Sequence, residues 1–160
     1  MKFKIGNNTW NIDYVGADFP ITFYQKTGLD IFKAELNIQK EPMAYYTAML
    51  NMAHILSKEE CSLEEFAKKF TPNELVLEYD QLANIYTGAA QPKVESKGKK
   101  KVSTRGFTTP LYFLRCKQVN LTFDELKQLS LTLVMDMLIE KGNDDYDYPL
   151  KASQEDMDAF

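Results

Sequence analysis

Two helix starts lie in the stretch from Cys61 to Leu75, which reads CSLEEFAKKFTPNEL. Ser62 and Thr71 are each followed three residues later by glutamate, the capping-box pattern in which side chains satisfy free backbone N–H groups at a helix start. Pro72 stands at a first helical position, where proline fits well. The stretch therefore predicts two amphipathic helices, the first short and the second running to Gly88.

Upstream of this stretch, the first twelve residues alternate between polar and apolar side chains on both sides of a Gly-Asn-Asn turn. This pattern predicts a β-hairpin whose apolar face carries Phe3, Ile5, Trp10 and Ile12. A hairpin alone is marginally stable in water, so this face is expected to pack on the helices that follow.

Two further helices are predicted between the hairpin and the capping boxes. Apolar residues from Phe19 to Ile38 have helical spacing despite Gly28, and the pattern turns Asp30 outward. A better-marked helix runs from Glu41 to Leu56, with Pro42 at its first turn.

Downstream, a third capping box spans Thr122 to Glu125. It predicts a long last helix that ends at Lys141-Gly142, and it follows a shorter helix from Thr109 to Gln118. The second half of the long helix, Leu131 to Ile139, is apolar nearly all round and is expected to be enclosed.

The composition divides the chain into four parts. Residues 1–90 are expected to form a module of hairpin and helices, residues 91–107 a flexible lysine-rich linker, residues 108–142 a helical module, and residues 143–160 an acidic tail. The expected fold is α+β, mainly α: an N-terminal β-hairpin packed on a small helical bundle, a basic linker, then a C-terminal helical hairpin with the acidic tail.

The composition also bounds the function. With 160 residues, 44% of them hydrophobic, the chain can bury a core without metal or disulfide support. Its longest apolar stretch is too short to span a bilayer and no signal-peptide pattern occurs, so a soluble cytoplasmic protein is expected. A net charge of -4 argues against nucleic-acid binding.

The residue types that catalysis needs are sparse. His54 is the single histidine and is expected at the surface or at the edge of the core, while Cys61 and Cys116 lack metal-ligand spacing and are expected to be buried. Asp144, Asp145 and Asp147 lack the glycine and terminal glutamate of a calcium loop. We therefore expect a binding protein without catalytic residues, metal or cofactor.

Methionine-rich helix surfaces are the candidate partner-binding features. Flexible thioether side chains suit partners of variable sequence, although stripes of this kind also form the core of small bundles. The candidate residues are Met43, Met49, Met52, Ile55, Met135, Met137 and Leu138.

The end of the chain carries a family resemblance. Residues 133–146, LVMDMLIEKGNDDY, followed by residues 152–158, ASQEDMD, resemble the C-terminal extension of tail assembly chaperones encoded by siphophages of Gram-positive hosts. Residues 1 to 90 look like the N-terminal chaperone module of that family. The family often makes its long form by a programmed ribosomal frameshift, and the lysine run 99–101 is of the kind that a purine-rich slippery site leaves.

The resemblance implies a function in virion assembly. A protein of this family binds the tape measure protein before the tail tube polymerises and leaves as major tail protein assembles. By resemblance, residues 1–90 would serve the tape measure protein and self-association, and residues 107–160 would recruit major tail protein. The protein would then act in the host cytoplasm and be absent from the mature virion.

A helix-turn-helix regulator or packaging component is the alternative. Residues 110–118, a turn at 119–121 and a helix from Thr122 have the required order. The would-be recognition helix, however, places Asp124 and Glu125 outward, where DNA phosphates would repel them.

Overall fold

The chain begins with an antiparallel hairpin whose apolar face is buried, as the alternating pattern predicts. Strand β1 (Lys2–Ile5) pairs with strand β2 (Asn8–Asn11), and Phe3 lies opposite Trp10 with ring centroids 5.0 Å apart. Gly6 turns the chain with a φ of 57°, in the left-handed region that glycine adopts readily. Ile5 and Ile12 complete the buried face.

The other regular elements of the described residues are helices. The computed structural model describes residues 1–33, 41–87, 93–97 and 106–143. Within them the helices are α1 (Phe19–Thr27), α2 (Pro42–Ser57), α3 (Leu63–Ala67), α4 (Pro72–Leu77), α5 (Tyr79–Thr87), α6 (Thr109–Gln118), α7 (Phe123–Leu126) and α8 (Leu131–Gly142). This mainly α arrangement with an N-terminal hairpin confirms the expected fold class. None of the described helices has the length and apolar character that crossing a membrane requires.

All three predicted capping boxes form. The hydroxyls of Ser62, Thr71 and Thr122 each accept the backbone N–H three residues on, and the glutamate there accepts the N–H of the capping residue. These local bonds start α3, α4 and α7 independently of how the helices pack.

The predicted helix from Phe19 to Ile38 is confirmed over Phe19–Thr27 and is wrong at residues 28–33. Gly28 has a φ of 70° and its N–H bonds the Tyr24 carbonyl, which ends α1 as a glycine cap. Residues 29–33 are not helical, and residues 34–38 lie outside the described residues. Asp30, predicted to face outward, is only 9% exposed.

Two other predicted helices are each interrupted. The helix from Thr71 breaks at Glu78, between α4 and α5. The last helix stops after Leu126 and restarts where the Ser130 hydroxyl caps α8. The carbonyl of Leu129 in this second break accepts the N–H of Ala17 at 2.8 Å, so the interruption lets the chain meet the start of α1.

Two apolar clusters hold the described residues together. The first lies between the hairpin and α1 to α5, and at its edge the indole N–H of Trp10 donates to Glu59. The second joins α6, α7 and α8 to Ala17 and Ile21 at the start of α1. The Tyr112 hydroxyl of α6 donates to the Ala17 carbonyl at 2.9 Å, so the C-terminal helices pack directly on the N-terminal ones.

Part of the predicted linker is in contact with α8. The N–H groups of Lys93 and Val94 donate to Asp136, at 2.8 and 3.0 Å. The side chain of Asn143 bonds the Lys97 N–H and the Glu95 carbonyl, at 2.7 and 3.0 Å. We call residues 93–97 the strap. Four of the five strap residues are exposed, and these hydrogen bonds join the strap to α8. Residues 91–92 and 98–105 of the linker and residues 144–160 of the tail lie outside the described residues.

Candidate partner-binding groove

The structure separates the seven predicted binding residues into three groups. Met49 and Met52 are each 2% exposed in the first cluster, so their prediction as open surface is wrong. Met43 is 73% exposed at the start of α2. The remaining four are half-buried: Ile55, Met135, Met137 and Leu138.

The positions of the three methionines along α2 explain why two of them are buried and one is exposed. Met49 and Met52 are three residues apart and point into the cluster with Ala53 and Leu56, a spacing that places them on one helix face. Met43 lies in the first turn, beyond the packed part of that face. A sequence pattern of apolar residues on several sides of a helix therefore does not reveal which side is open.

Leu77 is an exposed apolar residue that the sequence reasoning missed. It is 81% exposed at the end of α4. Tyr45 follows Met43 by two residues and Tyr79 follows Leu77 by two, and the rings of these two tyrosines lie 5.4 Å apart.

Another apolar surface lies between α6 and α8. The two helices enclose a groove of about 560 Å³, which we call the α6–α8 groove. Its apolar lining consists of Phe107, Val119, Met135, Leu138 and Ile139. Two of the predicted binding residues, Met135 and Leu138, are thus brought together here with three residues that were not predicted.

Helical periodicity places these side chains on the groove. In α8 the lining residues Met135, Leu138, Ile139 and Gly142 follow the spacing i, i+3, i+4, i+7 of a single helix face. From α6, Arg115, Gln118 and the C-cap residue Val119 repeat the i, i+3, i+4 spacing. The groove is therefore formed by one face from each helix.

The prediction that residues 131–139 are fully enclosed is wrong. Leu131 and Val134 are buried, but Leu133 is 47% exposed and residues 135–139 are half-buried. The physical reason is that α8 packs on α5 and α6, which cover only part of its circumference. Apolar surface on α8 consequently remains accessible in the monomer.

The charged side chains that line the α6–α8 groove have the same sign. The described residues that line it include two charged side chains, Arg115 and Lys141, and both are cationic. Asp136, also on α8, instead accepts the strap N–H groups, and Glu140 accepts a 3.3 Å bond from Asn143. Ser96 of the strap contributes one edge of the groove.

The ionisable groups of the second cluster are held neutral. Burial raises the pKa of the Cys116 thiol, and burial together with the neighbouring Cys116 raises the pKa of Tyr112. A thiol with a raised pKa is a poor nucleophile. Cys116 is fully buried, as predicted, whereas Cys61 is only half-buried and its thiol pKa is also raised by burial.

His54 lies at the edge of the first cluster, as expected. Its ring centroid is 5.0 Å from that of Phe66, and its Nε2 atom is buried without a hydrogen-bond partner. Among the described residues, no three His, Cys, Asp or Glu side chains are grouped closely enough to hold a metal ion.

The chain was compared with protein families, curated proteins and solved structures. No match was found. The assignment of the groove therefore depends on its geometry and charge.

Sequence reasoning missed Arg115, Val119, Ile139 and Lys141 at the groove. The spacing of residues 135, 138, 139 and 142 was a usable signal for one shared face. The pairing of that face with the end of α6 had no local signal, because it depends on the turn at Asn120, whose φ is 60°, and on the break before α8.

Proposed function

We propose that this chain is a tail assembly chaperone of a siphophage, which binds the tape measure protein and helps to recruit major tail protein. The observation that carries the proposal is the α6–α8 groove, whose apolar side chains on α8 are only half-buried. A chaperone of a long hydrophobic protein needs accessible apolar surface on a folded, acidic scaffold. In this proposal the chain acts in the host cytoplasm without a cofactor, self-associates and is absent from the mature virion.

The composition of the groove suits a partner whose sequence varies along its length. Methionine has three rotatable bonds and a polarisable sulfur atom, so Met135 can adapt to different neighbours. Branched side chains from Leu138 and Ile139 supply a fixed apolar wall beside it. Met43 and Leu77 are further exposed apolar side chains that a partner can contact.

The helix-turn-helix alternative is less well supported. The helix that would enter the DNA groove is α7, which spans only Phe123–Leu126, about one turn. Asp124 and Glu125 are exposed on it. A recognition helix inserts several residues into the major groove and contacts phosphates with cations, so both the length and the charge of α7 oppose this function.

Co-expression with the tape measure protein encoded beside this chain tests the proposal. We expect the tape measure protein to remain soluble and to co-elute with the chain in size-exclusion chromatography. Precipitation of the tape measure protein in the presence and absence of the chain alike would refute the chaperone function. A shift of duplex DNA at physiological salt would support the regulator instead.

A matched pair of variants on α8 tests the groove in the same experiment. Ile139→Gln places an amide in the groove, whereas Leu133→Gln makes the same kind of change at a site that is 47% exposed and does not line it. We expect the Ile139 variant to recover less soluble tape measure protein and the Leu133 variant to match the unaltered chain. Equal loss in both variants would remove the groove from the proposal.

A further inference from the structure

We propose that the strap is a latch at the edge of the α6–α8 groove, and that it opens as a unit while α8 stays folded. Two side chains of α8 hold it closed, Asp136 and Asn143. When the strap opens, Ser96 leaves the lining of the groove, and the apolar side chains of α8 become more accessible. The inference concerns the chain by itself and does not depend on which partner the chain binds.

The hydrogen bonds between the strap and α8 join the strap backbone to side chains of α8. Asp136 accepts two strap N–H groups, and the Asn143 amide accepts a third while donating to a strap carbonyl, at 2.7–3.0 Å. These contacts use main-chain groups of the strap, so substitution of a strap side chain leaves them in place. The latch therefore depends on the two α8 side chains.

Little apolar burial holds the strap in place. Four of its five residues are exposed, and Val94 is only half-buried. Segments with few buried apolar contacts and exposed backbone hydrogen bonds open at a low cost in free energy, whereas well-packed helices open at a cost near that of global unfolding. α8 is of the second kind, since Leu131 and Val134 are buried in the second cluster. The strap can therefore open while α8 remains packed.

The spacing of the two anchors makes them act on the strap together. Asp136 and Asn143 are seven residues apart, which is about two helical turns or roughly 10 Å along the helix axis. An extended chain covers that distance in about three residues, the separation of Val94 from Lys97. Each anchor holds this short segment close to the other anchor, so the loss of either weakens both.

The burial of Asn143 keeps the latch closed in most molecules. Its side chain is 2% exposed, and Glu140 accepts a further bond from it at 3.3 Å. A buried amide that loses its hydrogen-bond partners destabilises the chain, so the open state is the minor one.

Ser96 connects the latch to the groove. It lies between Glu95 and Lys97, the two strap residues whose backbone bonds Asn143, and it lines the groove. Release of the Asn143 bonds therefore frees Ser96 from the edge of the groove. The strap is thus placed to control how much of the groove is accessible.

Hydrogen exchange of the full chain, followed by NMR at several low urea concentrations, tests whether the strap opens separately. We expect the three strap N–H groups that bond α8 to exchange at least about tenfold more slowly than those of Glu95 and Ser96, which donate to no described residue. They should still exchange at least roughly tenfold faster than the N–H groups of α8, and without urea dependence, because a local opening exposes little surface. Exchange at the α8 rate with the same urea dependence, or at the rate of an unstructured peptide, overturns the proposal.

A matched pair of variants tests whether the two anchors act together. Asp136→Ala should speed the exchange of the Lys97 N–H about tenfold, although Asn143 is the residue that binds it. Glu95→Ala removes an exposed strap side chain, keeps the bonded carbonyl and should change nothing. If Asp136→Ala loses helicity by circular dichroism, Val94→Pro replaces it, because proline removes one strap donor without altering α8. Unaltered exchange at Lys97 would show that the anchors act separately and overturn the latch.

Binding of the apolar dye bis-ANS tests the connection between the latch and the groove. We expect Asp136→Ala to bind about two- to fivefold more dye than the unaltered chain, and Glu95→Ala to bind the same amount. Adding Ile139→Gln to Asp136→Ala should remove the increase, because Ile139 lines the groove. Equal dye binding by Asp136→Ala and the unaltered chain, or an increase that persists in the double variant, overturns the proposal.

These measurements use the chain without a partner. A chain that fails to keep the tape measure protein soluble would lose the chaperone function and could still show the separate opening of the strap. A chain that keeps the tape measure protein soluble but shows no separate opening would lose only this inference.

Discussion

A buried carboxylate fixes the start of α6 to the segment after α1. Both carboxylate oxygens of Asp30 accept the Thr109 N–H, at 3.1 and 2.9 Å, and Oδ1 also accepts the Thr109 hydroxyl at 2.9 Å. The N–H of Phe32 donates to the same oxygen at 3.1 Å. Thr109 is 2% exposed and Asp30 9%, so both groups are largely shielded from water in the folded chain. We expect Asp30→Ala to destabilise the fold strongly.

The expected loss in unfolding free energy follows from the hydrogen-bond donors that Asp30→Ala leaves without an acceptor. The N–H of Thr109 is one of the free donors at a helix start, and the carboxylate also complements the positive end of α6. A buried donor without a partner costs about 1–3 kcal/mol, and three donors lose their acceptor. Allowing for partial relaxation, we expect a loss of roughly 3–5 kcal/mol, a large part of the stability of a typical domain.

Urea unfolding followed by circular dichroism measures this loss. Thr109→Val keeps the shape but removes the hydroxyl, and we expect it to cost about 1–2 kcal/mol. The two substitutions together should cost less than their sum, with a coupling of about 1 kcal/mol or more. The control Asp13→Ala alters an exposed ion pair with Lys58 and should leave the unfolding midpoint unchanged. A loss below about 1 kcal/mol for Asp30→Ala would refute the reasoning.

Three other predictions concern single side chains. Tyr112→Phe removes the bond to the Ala17 carbonyl and should cost about 1–2 kcal/mol in urea unfolding. Because burial raises the pKa of Tyr112, the contribution of this side chain to the free energy of unfolding is complete below about pH 10 and is lost as the pH rises further. The Tyr112→Phe variant should therefore lose less stability than the unaltered chain between neutral pH and about pH 11. The capping hydroxyl and N–H lower the pKa of Glu125, so Glu125→Gln should flatten the fall in melting temperature below about pH 4.3. Met52→Asp buries a charge in the first cluster and should abolish cooperative thermal unfolding, whereas Met43→Asp, at a site 73% exposed, should leave it unchanged.

Failure would be visible in each of these cases. A Tyr112→Phe variant with unaltered stability would mean that the Ala17 carbonyl finds another donor. An acid transition that is identical with and without Glu125 would show that other carboxylates dominate it. Near-normal melting of Met52→Asp would contradict the burial of that side chain.

Features encoded by a few neighbouring residues were predicted correctly. The capping boxes at Ser62, Thr71 and Thr122 form because a hydroxyl and a glutamate three residues apart satisfy free N–H groups within one turn. The hairpin face forms because alternate residues point to the same side of a strand. Neither device needs a distant part of the chain.

The errors arise where local signals compete with tertiary contacts. The apolar periodicity around Gly28 predicted one helix. The glycine cap instead ends α1 at Thr27, so Asp30 lies outside the helix and its carboxylate bonds Thr109 at the start of α6. Apolar spacing from Thr122 to Gly142 is compatible with one helix or two. The contact between Ala17 and the Leu129 carbonyl is compatible only with two.

The candidate site divides in the same way. By itself, the sequence determined that α8 is apolar and rich in methionine and that Met135 and Leu138 share a face, since both facts depend only on residue type and spacing. Tertiary structure alone decided that Met49 and Met52 are core, that Arg115 and Val119 meet Ile139 across a groove, and that the strap borders it. The physical reason is that burial and charge at a groove depend on which helix faces pack together, and those pairings join residues far apart in the sequence.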